Sequence, residues 1–256
     1  MAGQPLHFWD IDGAAAPLIG NVYYRGEDYT RESDVWHAWE AIPRPYFPDR
    51  PPPGGIARYA IQREAYRGLP PSDPQAHKPD VIVVRMQNRQ QQPGMPVRAD
   101  ERDVLWIECK APCQDKPHGW NEVLNEAVGR LTSAHPQRKV FLILAVGMKW
   151  MPFLWDPQAQ PSALNVVMAN RTDSWPVDQR IHLIDAATLP GGQRHAFQSG
   201  GNWFVDTRCA YTLNYWAMGQ NGQPAFAADM TLLENLFAAI QAAVYNGWNP
   251  AEFGSG

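Results

Sequence analysis

The chain has 256 residues, 45% hydrophobic and 19% charged, enough for one large domain or two small ones around a substantial core. Its formal charge of -4 and pI near 6.0 provide no overall basic field for polyanions or membrane surfaces, so nucleic-acid binding would need a local basic groove. The three cysteines, Cys109, Cys113 and Cys209, form no paired framework and lack the second pair that a structural zinc site needs, which points to a reducing compartment.

The N-terminus, MAGQPLHFWDIDG, has neither a basic segment nor a long apolar core, and no apolar run elsewhere is long enough to span a bilayer. A soluble intracellular protein, cytoplasmic or nuclear, with no membrane partner is expected. Residues 1 to 55 are rich in aromatics and proline and end in RPYFPDRPPPGG, where successive prolines forbid helix. They read as an irregular arm packed on a core. The eleven tryptophans are scattered along the chain and read as packing residues rather than a ligand platform.

IARYAIQREAYRG, Ile56 to Gly68, reads as a helix stopped by Gly68 and Pro70. After a proline-rich loop, Asp80 opens VIVVRM, a β-branched run suited to a buried strand. The polar, glutamine-rich segment Gln87 to Asp103 then forms a long connection to a second strand, VLWIECK. Gly119 to Ala134 is the clearest helix, with Trp120, Val123, Leu124, Ala127, Val128 and Leu131 on one face. KVFLILAVG, Lys139 to Gly147, is apolar on both faces and reads as a central strand, with Gly147 letting the chain turn into WMPFLW. LNVVM, IHLID and WFVD are shorter strand candidates, and a last helix spans about Thr231 to Asn246. The expected division is therefore an arm over 1 to 55, a core over 56 to 156, and a C-terminal extension of the same domain over 157 to 256.

Chemistry concentrates where VLWIECK ends. Alternate residues of a strand share a face, so Trp106, Glu108 and Lys110 point one way while Ile107 and Cys109 point the other. If the strand opened by Asp80 folds back antiparallel to this one, its start lies beside the other's end, and Asp80 and Glu108 sit side by side. Two such carboxylates repel, and a hard divalent cation with oxygen ligands stabilises the pair. Mg²⁺ or Mn²⁺ held there can polarise a phosphoryl oxygen and lower the pKa of a water, while Lys110 orients that water or offsets charge growing on the phosphate.

Pro79-Asp80, then Glu108-Cys109-Lys110 at the end of a second strand, followed by a helix and a central apolar strand, resembles the PD-(D/E)xK nuclease superfamily over roughly residues 56 to 147. The resemblance implies an α/β, restriction-endonuclease-like fold, with a mixed central sheet flanked by helices. It also implies a hydrolase cleaving phosphodiester bonds, with Asp80, Glu108 and the backbone carbonyl of Cys109 as metal ligands and Lys110 as the catalytic lysine. The partner is nucleic acid, DNA or RNA, with a homodimer allowed. Members carry a further acidic residue on the helix before the PD motif, and Glu64, on the apolar stripe of Ala57, Ala60 and Ile61, suits that place. Arg63 and Glu64 are alternatively the solvated edge of that helix.

Asn121 and Asn125 on the following helix are candidates for a polar residue aimed at the site, or else its wet face. His77 and His118 flank the motifs and stay outside the catalytic set. The candidate groove cations are Lys78, Arg85, Lys116, Arg130, Arg138, Lys139 and Lys149, clustered around the motif in sequence. Two other functions fit the same residues. One is a nuclease-fold module that binds protein through its tryptophan-rich arms without turnover; the other is a metal-dependent hydrolase of a small phosphorylated substrate.

Overall fold

The run Val140–Val146 is buried along its whole length and forms β4, the strand around which the sheet is ordered. The computed structural model describes residues 7–50, 58–64, 78–89, 98–167, 174–189, 193–214, 216 and 226–245. In it β1 (Arg58–Arg63), β2 (Val81–Arg89), β3 (Arg98–Lys110), β4, β5 (Lys149–Trp155) and β11 (Tyr211–Thr212) lie side by side in that order, with β8 (Ile181–His182) also on β5. The sheet is mixed. β3 and β4 are parallel, joined by the crossover helix α3 (Pro117–Ala134), and the other pairs are antiparallel.

Helices α1 (Ala15–Arg25), α2 (Ser33–Ala41) and α4 (Ala227–Tyr245) cover one face, where Ile19, Val35, Trp39, Leu233 and Phe237 meet Val81, Val83, Ile107 and Cys109. On the other face Trp120, Val123, Leu124, Ala127 and Leu131 of α3 pack on Ile82, Val84, Trp106, Leu142 and Leu144. That face also takes apolar residues from a four-stranded sheet, ordered β7 (Ser174–Pro176), β6 (Leu164–Val167), β10 (Asn202–Asp206) and β9 (Ala196–Ser199). Trp39, Trp106, Trp120, Trp150 and Trp155 are buried, so these tryptophans are core, as large amphipathic rings generally are when enclosed.

Three expectations change. The N-terminal region is not an irregular arm: it holds α1 and α2, whose Val35, Ala38, Trp39 and Ile42 recur at helical spacing. The prolines there end α2 before Pro43 rather than preventing it. Ile56 to Gly68 is not a helix either, since Arg58–Arg63 is the edge strand β1, paired antiparallel with β2 through Tyr59↔Arg85 and Ile61↔Val83. Tyr59 and Ile61 satisfy period two as well as the stripe satisfied a helical period, and pairing with β2 decides between them. Finally, the expected long connection is mostly strand: β2 runs to Arg89 and β3 begins at Arg98. Only 90–97 between them lies outside the described residues, as do Ile56 and Ala57 of the expected helix and its end beyond Glu64.

A register shift places the ends of β2 and β3. Val83 pairs with Leu105 but Val84 with Asp103, leaving Val104 as an extra residue. Beyond the bulge Ile82 faces Trp106 and Val81 faces Ile107, so the next positions, Asp80 and Glu108, fall side by side on the α3 face.

Gly147 turns β4 into β5 with φ +56, and a Cβ there would lie 2.9 Å from Pro112 Cα. Gly147→Ala therefore combines left-handed strain with a backbone clash beneath the site, and it is expected to cost about 2 to 4 kcal/mol in a denaturant titration. Gly26, at φ +79 and ψ 176 in open space, is the control: Gly26→Ala adds only the conformational part, about 1 to 3 kcal/mol, with no clash.

Candidate functional site

The site is built at the C-terminal ends of β3 and β4, from β2, β3, α3 and the start of α2. Asp80 immediately precedes β2, and its Oδ2 accepts a 2.6 Å hydrogen bond from the Cys109 amide. That bond clamps the start of β2 to the end of β3. The Cys109 side chain points through the sheet into the core under α2, where burial, with Asp80 and Glu108 nearby, pushes its thiol well above the ordinary range. Glu108 and Lys110 emerge on the opposite face with Trp106, as the alternation requires.

Glu108 is 1% exposed. Its Oε2 accepts a hydrogen bond from Arg130 Nη1 of α3, and its Oε1 is buried without a hydrogen-bond partner among the described residues. The same Arg130 nitrogen lies 3.7 Å from Asp80 Oδ1. One turn earlier on α3, Glu126 receives Lys110 Nζ at 2.8 and 2.9 Å. Lys110 Nζ also lies 3.6 Å from the carboxylate of Glu32, which occupies the N-cap position of α2. Four carboxylates thus surround two cations.

Burial dominates the electrostatics. It pushes the Glu108 carboxyl well above its ordinary range, with Asp80 adding to the shift and Arg130 opposing it. Asp80 is also raised by burial, against the Cys109 amide and Arg130. Glu32 rises to about 7 through burial and then the charge of Asp80, with Lys110 pulling the other way. For Lys110, burial favours the neutral amine, but the hydrogen bond to Glu126 and the charges of Glu32, Glu126 and Asp80 outweigh it, leaving the ammonium favoured. Arg130 is stabilised in its charged form by Glu108 and Asp80 despite its burial.

Asp80, Glu108 and Lys110 are therefore brought together, and Glu64 is not brought with them. Glu64 follows edge strand β1 rather than riding on a helix, and its side chain is exposed; only its backbone approaches, with the amide 3.4 Å from the Asp80 carbonyl at φ +46. The acidic side chain that does reach Lys110 from the N-terminal helices is Glu32, at the N-cap position of α2. Asn121 is half-buried, while Asn125 and His118 are exposed; His77 lies outside the described residues. From α3 it is Glu126 and Arg130 that reach the site. They flank the apolar stripe one turn apart, a spacing visible in the sequence. Arg138 and Lys139 belong elsewhere: they precede β4 at its opposite end, where Lys139 pairs with Asp156 at 2.9 Å. Lys149 holds Asp115 at 2.6 Å beside the β4–β5 turn. Among the described residues, no three histidine, cysteine or acidic side chains form a group that could hold a metal ion.

The raised acid at Glu32 has a definite consequence for stability. A carboxyl with a folded pKa of about 7 and an ordinary value of 4.5 keeps its proton in the folded chain across that window and loses it in the unfolded chain, so stability falls as pH rises from about 4.5 to 7. Asp80 and Glu108 act in the same sense. In thermal melts with EDTA, Glu32→Gln is expected to flatten this decline and to melt above the wild type at pH 8. An unchanged slope would remove Glu32 from the strained cluster.

Comparison of the chain with models of known families, with curated proteins and with solved structures finds no match in any of the three. The assignment of the site therefore follows from its own geometry.

Proposed function

We propose that this protein is a metal-dependent nuclease of PD-(D/E)xK type, hydrolysing phosphodiester bonds of DNA or RNA with Mg²⁺ or Mn²⁺, on a restriction-endonuclease-like core. The observation that carries the reading is the β2–β3 register. It sets Asp80 beside Glu108, with the Cys109 amide on Asp80 and Lys110 on the same face as Glu108. Supporting it are the parallel β3–β4 pair with its crossover helix and the carboxylate of Glu32 3.6 Å from Lys110 Nζ.

The donor set suits a hard cation. Glu108 Oε1 is a buried carboxylate oxygen with no hydrogen bond among the described residues, and oxygen ligands of this kind are what Mg²⁺ and Mn²⁺ select. Asp80, Glu108 and the Cys109 carbonyl are the residues that would hold the ion. When bound, such a cation polarises a phosphoryl oxygen and lowers the pKa of a coordinated water. The chain's own part is positional: the Cys109 amide fixes the rotamer of Asp80, burial excludes water from Glu108, and Glu126 and Glu32 fix Lys110 Nζ. From there Lys110 can orient the attacking water and offset the charge developing on the phosphate. No helix among the described residues is long and apolar enough to cross a bilayer.

The test is cleavage of labelled single- and double-stranded DNA and RNA with Mg²⁺, Mn²⁺ or EDTA. Lys110→Ala is expected to lower turnover roughly hundredfold to thousandfold while the protein stays folded and still binds metal. Glu108→Ala is expected to lose metal binding along with turnover. If the wild type cleaves none of the four substrates with either metal, a nuclease-fold binding module becomes the better account.

A further inference from the structure

Arg130 does for Asp80 and Glu108 what a bridging cation would do. A single guanidinium nitrogen, Nη1, donates to Glu108 Oε2 and lies 3.7 Å from Asp80 Oδ1. The carboxylates it bridges are the two that the register forces together, and Glu108, at 1% exposure, cannot turn to water for solvation. The Arg130 side chain is itself 21% exposed. Glu108 thus spends one oxygen on Arg130 and keeps the other buried and unpartnered among the described residues.

The geometry points to Arg130 as a resident counter-cation that competes with the divalent ion for Asp80 and Glu108, so that loading the site requires the guanidinium to leave Glu108. This inference rests on the metal-dependent reading of the site. Glu108 Oε1 stays free for a hard cation, but an ion shared by Asp80 and Glu108 meets the like-charged Nη1 that already lies against both carboxylates, and a buried carboxylate stripped of its counter-charge is strongly destabilising. The metal-free protein therefore needs Arg130, and the same contact raises the metal concentration at which the site fills. A landing place is built into α3: Glu126, half-exposed and four residues earlier, has Oε2 3.9 Å from Arg130 Nη2. The exchange needs only a side-chain shift along the helix.

The experiment is Mn²⁺ titration by calorimetry, with thermal melts in EDTA and in Mn²⁺, on wild type, Arg130→Gln, Arg130→Lys and Asp80→Asn. Arg130→Gln is expected to melt lower in EDTA, to gain more from Mn²⁺, and to bind Mn²⁺ about tenfold or more tightly than wild type, since ligand binding to the native state stabilises by mass action. Arg130→Lys keeps a counter-charge on a shorter, more strongly hydrated side chain that seats less well between the two carboxylates, so it should fall between the two; it decides the matter if the Gln variant does not fold. A folded Arg130 variant whose affinity equals or falls below that of wild type overturns the inference. Asp80→Asn separates the two levels. If it weakens Mn²⁺ binding while the Arg130 variants fail to strengthen it, the metal site stands and the role of Arg130 falls. If Asp80→Asn changes nothing, or no variant binds Mn²⁺, the metal reading falls and takes the inference with it.

Discussion

Two carboxylates held side by side by strand register are the constraint on which this structure turns. Asp80 and Glu108 do not meet by side-chain choice. They meet because Val81 pairs with Ile107 and Ile82 with Trp106, and the Cys109 amide then ties Asp80 to the neighbouring strand. Closing the bulge at Val104, so that the pairing beyond it slips by one residue, would turn Glu108 and Lys110 into the core under α2 and bring Cys109 out in their place. The apolar alternation prevents this, because Trp106 and Ile107 are each buried on opposite faces. Hydrophobic burial thereby holds a like-charge pair together that electrostatics alone would separate.

Everything else at the site answers that repulsion. The crossover helix α3 is placed by Val123, Leu124, Ala127 and Leu131, and the flank of that stripe delivers Glu126 and Arg130 to the ends of the strands. Arg130 neutralises Glu108, Glu126 holds Lys110, and α2, docked on the other face through Val35 and Trp39, adds Glu32 at its N-cap position. Packing positions of low chemical interest thus set the geometry of the charged ones. A second buried polar set lies near the other end of the sheet, where Asp103 accepts from Trp106 Nε1 at 3.1 Å and meets His135 Nε2 at 2.8 Å. It pins the C-terminal end of α3 to β3.

How much of this the sequence discloses depends on the range of the interaction that decides each element. α3 and β4 are legible because their own periodicity settles them, eighteen residues of one stripe and seven of continuous burial. The pairing of Asp80 with Glu108 is legible because a hairpin converts strand ends into neighbours. β1 is not, since RYAIQR satisfies both periods and only its pairing with β2 makes it a strand. The misplacement of Glu64 follows directly: a helix assumed at 56 to 68 carried the acidic residue with it, whereas α2 lay hidden among prolines that merely stop it. Glu126 and Arg130 leave a faint signal, an acidic and a basic residue four apart beside an apolar stripe, which on most helices is a solvent-facing pair. Clustering of basic residues in sequence misleads for the opposite reason, because the length of β4 puts Lys139 about 20 Å from the site end of the sheet.

The charge balance decides what the cluster can do next. Glu32, Asp80, Glu108 and Glu126 face Lys110 and Arg130, so with every carboxylate ionised the site carries a formal charge of -2. A phosphodiester brings a further negative charge, and in a partly buried site with weak screening that approach is unfavourable. Only two remedies are open to a cluster of this composition: take up protons or take up a cation. The upward displacement of Glu32, Asp80 and Glu108 is the first remedy, with burial and mutual repulsion both favouring the neutral acids. Proton uptake relieves the charge but removes the oxygen ligands that chemistry on a phosphate would use. A divalent ion relieves the same charge and keeps the carboxylates ionised, which is why the proposed nuclease needs a metal rather than a more acidic solution. Protons and metal then compete for one set of oxygens, and Arg130, already seated between two of them, is the third competitor.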